Sequence, residues 1–301
     1  MKHASNALSS PEVSLGRNFV SSVHRMAAEP ASINRHLRQE GATSTVTLVQ
    51  SDRSRANLLL AALPPAEWRR LEADLEWVAL PRDKMLYQTG STLPYVYFPT
   101  SATISLISPM KDGAATEVAV VGQEGVVGVC AFMGAGPALS SALVQSAGHG
   151  WRMSAAAIVQ HAQRSPDVLR TLLSYTQSLF AHLVQTSACN QHHALEQQFC
   201  RWLLLHADRQ AGDELTVTQE RIAGMLGVRR EGITGAAVKL QKDGLIRYWR
   251  GHIAITDRSG LEQCCCECYS VIKQANERLS NRDTKFAASY IGGASEHAKL
   301  S

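Results

Sequence analysis

The side chains best suited to chemistry in this chain gather between Thr218 and His252. From Arg229 to Arg250 there are six basic residues (Arg229, Arg230, Lys239, Lys242, Arg247, Arg250) against two acidic ones, Glu231 and Asp243. Arginine can read guanine O6 and N7 with two hydrogen bonds, and glutamate can accept one from cytosine N4. Arg229, Arg230 and Glu231 are therefore candidates for touching base edges. Thr218, Gln219, Thr234, Gly235 and Lys239 flank them, while Arg250 and His252 are placed to meet phosphates.

The spacing predicts the frame that this chemistry needs. Thr218 can cap a short helix whose Ile222, Ala223 and Leu226 point inward. Gly227 supplies a tight turn, and a second helix runs from near Arg229 to Lys242 with Ile233, Ala237 and Leu240 on its apolar face. A short helix, a glycine turn and a second helix make a helix-turn-helix. Leu245–Trp249, Arg250-Gly251 and His252–Ile255 read as a two-stranded hairpin, or wing. The competing reading is a basic two-helix corner with solvated charges, whose domain meets other proteins instead of DNA. Only DNA binding requires the basic face.

Two thiol-rich stretches remain. On a continuous helix Cys264 and Cys268 would share a face and could hold a soft metal, and adjacent thiols could sense oxidants. No second ligand pair lies nearby in sequence, so small thiols packing the helix after the wing are the expectation, with a redox switch as the alternative. Cys189-Asn-Gln-His-His193 could bind metal or haem, but reads more simply as a solvated helix junction. No metal site and no cofactor are expected. Nucleophile motifs, a P-loop and paired carboxylates are not found, so an enzyme is not expected.

A chain of 301 residues suits two domains with tails, and 45% hydrophobic with 19% charged residues is ordinary for a chain that buries a core. The net charge of +4 fits an acidic partner without demanding one. No secretory signal is read at the start. The uncharged run 125–139 is glycine-rich and shorter than the roughly 17–25 residues of a membrane helix. A cytoplasmic protein with reduced thiols and no membrane contact is expected.

The elements that must position the basic face follow from periodicity. Residues 1–54 read as a flexible extension, with a short strand at most at Val46–Val49. Between 55 and 165, after a short helix bearing Trp68, Leu71 and Leu75, come β-rich runs: Leu86-Tyr87, Tyr95–Phe98, Thr103–Ile107, Glu117–Val121 and Ala142–Gln145. Turn signals separate them, including Gly148–Gly150, and an antiparallel roll, barrel or sandwich is implied. Ser154 caps a helix, and Ser165-Pro166-Asp167 opens a longer one over 166–194. Leu169, Leu172, Thr176, Leu179, Leu183 and Thr186 then recur at coiled-coil steps. They form either a dimer seam over 166–190 or a face packed on the helix's own roll. The DNA-binding segment spans 195–280, and 281–301 reads as a tail.

The order of roll, long helix and winged helix-turn-helix resembles the Crp/Fnr family of transcription regulators. Val96–Thr100, Val121–Gly128, Thr218–Glu220, Leu226–Thr234 and Leu245–Tyr248 carry the likeness. It implies an α+β fold with a cyclic-nucleotide-binding-like roll, a homodimer on a pseudo-palindromic DNA site, and RNA polymerase as a further partner. Arg230 and Glu231 match the family's base-contacting pair, while a third base-contacting arginine falls on Gly235 and a phosphate-contacting basic residue on Gln219. The effector pocket would include Gly122, Glu124, Gly125, Ser140 and Ser141. No arginine accompanies the serine pair, so cyclic AMP is not expected, since a buried anion needs a cation. Residues 1–129 contain no cysteine, so the family's N-terminal iron–sulfur cluster is not expected either.

Overall fold

A computed structural model describes residues 56–277, apart from Ala135 and Ala211. The readings for 1–54, including the Val46–Val49 strand, and for 281–301 lie outside these residues. The chain enters through α1 (Leu58–Ala61) and α2 (Pro65–Glu72), the second opened by Pro65 in its first turn as the sequence suggests. Two antiparallel sheets follow. One has the order β1 (Glu76–Leu80), β7 (Gly148–Ser154), β3 (Tyr95–Pro99). The other has the order β2 (Met85–Tyr87), β6 (Ser141–Ser146), β4 (Thr103–Pro109), β5 (Ala115–Val121). Their facing side chains, among them Leu80, Phe98, Ile104, Val121, Val144 and Met153, form one core.

Five strands stand where the sequence puts them, but β1 and β7 do not. The glycines at 148 and 150 look like turn signals, yet they lie inside β7. There a Cβ on Gly148 would come within 2.5 Å of the Ala102 nitrogen, and one on Gly150 within 2.7 Å of the Phe98 carbonyl oxygen. Close backbone approach, not a turn, selects glycine at both.

α3 (Cys130–Met133) is one short turn, and α4 (Ala155–Arg164) begins at Ser154, whose hydroxyl accepts from Ala157 N. α5 (Pro166–His192) is the long helix. Its expected single seam is in fact divided between two faces. Leu172, Leu179 and Thr186 are buried against the protein's own elements, while Leu169, Leu173, Phe180 and Val184 stand exposed. Leu172 and Leu179 join the core of the roll, and a further flank is covered by the C-terminal segment. Residues 268–277 are helical and lie antiparallel to α5, with Ser178 bonded to Asn276 and Gln185 to Cys268.

The C-terminal domain contains α6 (Leu195–Ala207), α7 (Gln219–Leu226), α8 (Arg230–Lys242) and α9 (Arg258–Cys264). A third sheet has the order β8 (Glu214–Thr216), β10 (His252–Ile255), β9 (Ile246–Trp249), so the expected wing is joined by an extra strand. Helix α9 ends at Cys264 and Cys265 is extended, so Cys264 and Cys268 do not share a helical face. Among the described residues no helix is long and apolar enough to cross a membrane.

Asn57 ties α1 to the roll. It is fully buried, its Nδ2 donates to the carbonyls of Pro99 (2.8 Å) and Gly125 (3.0 Å), and its Oδ1 accepts from Leu60 N. Asn57→Ala leaves two buried carbonyls without that donor and should lower unfolding free energy by about 2–4 kcal/mol. A urea titration showing a loss well under 1 kcal/mol would exclude this anchoring role.

Candidate nucleic-acid interface

Thr218 adopts extended backbone and its hydroxyl accepts from Arg221 N at 3.2 Å, starting α7. Gly227 ends it at φ 67°, the left-handed conformation that glycine takes without penalty. Arg229 then precedes α8. Ile222, Ala223 and Leu226 on α7 meet Ile233, Ala236, Ala237 and Leu240 on α8, and all seven are buried. This packing turns the opposite face of α8 outward, where Arg230, Glu231, Thr234, Gly235 and Val238 are exposed. Val238 was not among the sequence candidates. It is 62% exposed on this outward face, a methyl-bearing surface of the kind that can meet a thymine methyl.

The remaining predicted residues frame this face. Gln219 accepts a hydrogen bond from Thr234 Oγ1 at 2.8 Å, bridging the two helices. Lys239 is exposed and paired with Glu196 at 3.2 Å. In the wing, Arg250 (φ 42°) and Gly251 (φ 84°) are both left-handed, the signature of a two-residue type I′ turn. That turn puts the exposed Arg250 at the tip. His252, half-buried, bonds Glu214 through Nδ1 and stacks on Trp249, over which Arg247 also lies at 4.7 Å.

The face is oriented by a second set of contacts, which joins the domain to the roll. Ile107, Val120 and Leu143, on the outer side of the four-stranded sheet, belong to the same apolar cluster as Phe199, Leu203 and Leu226. Helix α6 drives three polar groups into this boundary. Arg209, just beyond it, bonds Glu124 through Nε at 2.6 Å and the Leu205 carbonyl through Nη1 at 2.7 Å. His206 Nε2 donates to Glu117 Oε1 at 3.1 Å, and Arg201 Nη1 donates to Thr186 Oγ1 at 2.9 Å. On α7, Arg221 bonds Gln145 and pairs with Asp83. Glu117 Oε2, Arg201 Nε and Trp202 Nε1 have no hydrogen-bond partner among the described residues. All three side chains line one cavity of about 10 Å³, together with His182, a volume suited to a single water.

A family model described as a Crp-like helix-turn-helix domain matches residues 197–264. Residues 197–264 therefore form a Crp-like helix-turn-helix domain. A Crp/Fnr-family transcriptional regulator from Eubacterium rectale has the same fold, with a TM-score of 0.56 at 17% identity over 70% of this chain and 98% of that one. FixK2 from Bradyrhizobium japonicum gives 0.56 at 15% identity over 64% and 98%. The c-di-GMP responsive global regulator CLP of Xanthomonas campestris gives 0.52 at 17% over 64% and 99%. Such identities speak for the fold, and the domain match speaks for the DNA-binding module. No curated protein matches this chain in sequence.

Each predicted effector residue already has a contact within the protein. Glu124 is held by Arg209, whose Cγ lies 2.8 Å from where a Cβ on Gly122 would be. A Cβ on Gly125 would fall 2.2 Å from the Tyr175 ring. Ser141 bonds Thr89, and Ser140 bonds the Tyr87 hydroxyl. Burial, then the neighbouring Glu124 charge, raises the Tyr175 phenol well above its ordinary value. Sequence reasoning missed Arg209 because it lies 85 positions from Glu124, with no local pattern to connect them.

Two measurements follow. Glu124→Ala strands a buried guanidinium and should lower unfolding free energy by about 3 kcal/mol, part of which the added Arg209→Met recovers. Strictly additive losses would mean that the pair does not couple. His182 is fully buried, and desolvation, then the charges of Arg209, Arg201 and His206, holds it well below its ordinary value of 6.5. The unfolded chain takes up that proton near pH 6.5 and the folded chain does not. The contribution of His182 is thus complete above pH 6.5 and lost as pH falls toward the lower folded value. His182→Gln should flatten the decline of the thermal midpoint between about pH 7 and 5. An unchanged slope would assign that decline to other groups.

Proposed function

We propose that this regulator works as a cytoplasmic homodimer on a pseudo-palindromic site, its two copies pairing along α5. The observation that carries this reading is the apolar stripe Leu169, Leu173, Phe180 and Val184, exposed on α5 at steps of four, seven and four residues. An exposed stripe at that spacing suits a second helix of the same kind. Pairing there gives two α8 helices related by a two-fold axis, able to enter successive major grooves about 34–36 Å apart. Arg229, Arg230 and Glu231 read base edges at the start of α8, and Arg250 at the wing tip takes phosphate. RNA polymerase is the further partner of an activator built this way.

The effector is not cyclic AMP. The guanidinium nearest Glu124 comes from the regulator's own DNA-binding domain, and the serine pair is bonded to Thr89 and Tyr87 with no arginine to meet a phosphate. A signal acts by changing how firmly α6 is held to the roll, which moves α8 relative to its copy.

Sedimentation and selection from a randomised duplex pool test the reading. The wild-type protein should run as a dimer and enrich a two-fold symmetric motif, with affinity falling steeply with salt. Phe180→Glu should shift it toward monomer and weaken binding to the full site. A monomeric wild type would sink the proposal. Arg230→Ala should cost about 1–3 kcal/mol and relax preference at one base pair, whereas equal losses on all sequences would assign Arg230 to the backbone.

A further inference from the structure

The two thiol-rich stretches that look unrelated in sequence meet in space. Cys189 lies in the last turn of α5, and His193 is the residue that ends that helix. Cys266 lies between α9 and the helical residues 268–277, and Cys268 opens that helical segment. Cys189 Sγ stands 3.6 Å from Cys266 Sγ, and Cys268 Sγ stands 3.4 Å from His193 Nδ1. All four ligand atoms lie within 4.8 Å of one another. The three sulfurs belong to buried residues, so this is not the solvated junction suggested by the sequence around Cys189.

We propose that these four side chains form a closed, four-coordinate zinc site of the Cys3His type. Zinc takes sulfur at about 2.3 Å and imidazole nitrogen at about 2.0–2.1 Å, so a tetrahedron needs its ligand atoms about 3.5–3.8 Å apart. Two of the separations, 3.6 and 3.4 Å, already match, and a small inward adjustment of the others, all within 4.8 Å, completes the set. The compactness also selects among ions. Atoms this close surround one metal, whereas an iron–sulfur cluster spreads its cysteines around a larger body. Three soft sulfurs with one imidazole favour zinc over oxygen-seeking calcium or magnesium.

The surroundings are those that metal ligands require. His193 turns Nδ1 toward the cysteines and Nε2 toward Glu267 Oε2 at 3.3 Å. A carboxylate behind a ligating histidine fixes the tautomer and orients the ring. Gln185 Nε2 donates to Cys268 Sγ at 3.1 Å, as an amide donor does to a thiolate. Three thiolates around a dication leave one negative charge. Arg201 is buried one helix away, bonded to Asn190 beside Cys189, and supplies the balancing positive charge. The exposed Cys264 lies outside the group and serves as an internal control.

The site joins the end of α5 to the C-terminal segment of the DNA-binding domain. Bound metal would therefore fix that segment against the long helix, and its loss would release it. This goes beyond the DNA-binding reading, because metal content can be measured without DNA.

The test uses the full-length chain, purified under reducing conditions and analysed for metal by mass spectrometry, then stripped with a chelator and titrated with Co²⁺. Expected are about one zinc per chain, and on Co²⁺ addition the sulfur-to-metal charge-transfer and d–d bands of a tetrahedral thiolate site. Cys266→Ser and Cys268→Ser should lose both signals, and Cys264→Ser should keep them. A folded wild-type chain that takes up neither Zn²⁺ nor Co²⁺ overturns the proposal, as does metal binding lost with Cys264→Ser alone. Cys189 and Cys266 found joined as a disulfide in metal-replete, reduced protein would overturn it as well. Should the serine variants fail to fold, the Co²⁺ spectrum of the stripped wild type still decides.

Discussion

The arrangement of this chain depends on polar groups carried out of water by α6 and the turn that follows it. Arg201, His206 and Arg209 are each under 10% exposed, although every one of them is strongly hydrated in an unfolded chain. Burial on that scale is tolerated only where hydrogen-bond partners are waiting. The partners are Glu117 and Glu124 on or just after β5, together with Thr186 on α5. Apolar contact between Leu143, Val120 and Phe199 would let the domain slide over the sheet, because the hydrophobic effect has no direction. Hydrogen-bonded polar groups do not slide. They convert a greasy boundary into a registered one, and the orientation of α8 follows from it.

That registration was invisible in the chain as written. The helix-turn-helix could be read because all its determinants are local: a threonine cap, a glycine with positive φ, and apolar residues three or four apart. The wing was legible for the same reason, through its alternation and an Arg-Gly turn. Strand β7 failed because glycine has two uses, and its role in close packing between strands looks the same in one dimension as its role in a turn. The seam on α5 was read as single because a helix with apolar residues at three- and four-residue steps can carry two adjacent stripes. Only knowledge of what covers one of them separates Leu172 and Leu179 from Leu173 and Phe180. The same limit hid the meeting of Cys189 and His193 with Cys266 and Cys268, since sequence spacing reports ligands on one element and not on two.

The placement of function follows a division of labour between local and distant order. The exposed groups of α8 and the wing sit on short elements whose shape is set within a few residues, so they can vary without disturbing the core. Gly235, for example, has open space around it, and a side chain there would meet no neighbour in the protein. The groups that hold the domain in place are buried and paired across long stretches of sequence, so that none can change alone.

The covering of α5 by residues 268–277 sets its freedom of motion. One flank of the helix is walled by the roll, another by the C-terminal segment, and a third stands bare. Rolling the helix about its own axis would pull Leu172, Leu179 and Cys189 into water and push Phe180 against surfaces shaped for something smaller. Tilting it, or sliding it by a fraction of a turn, disturbs far less. α5 is thereby built as a lever and not as an axle, and movement passing through it travels along its length rather than around its circumference.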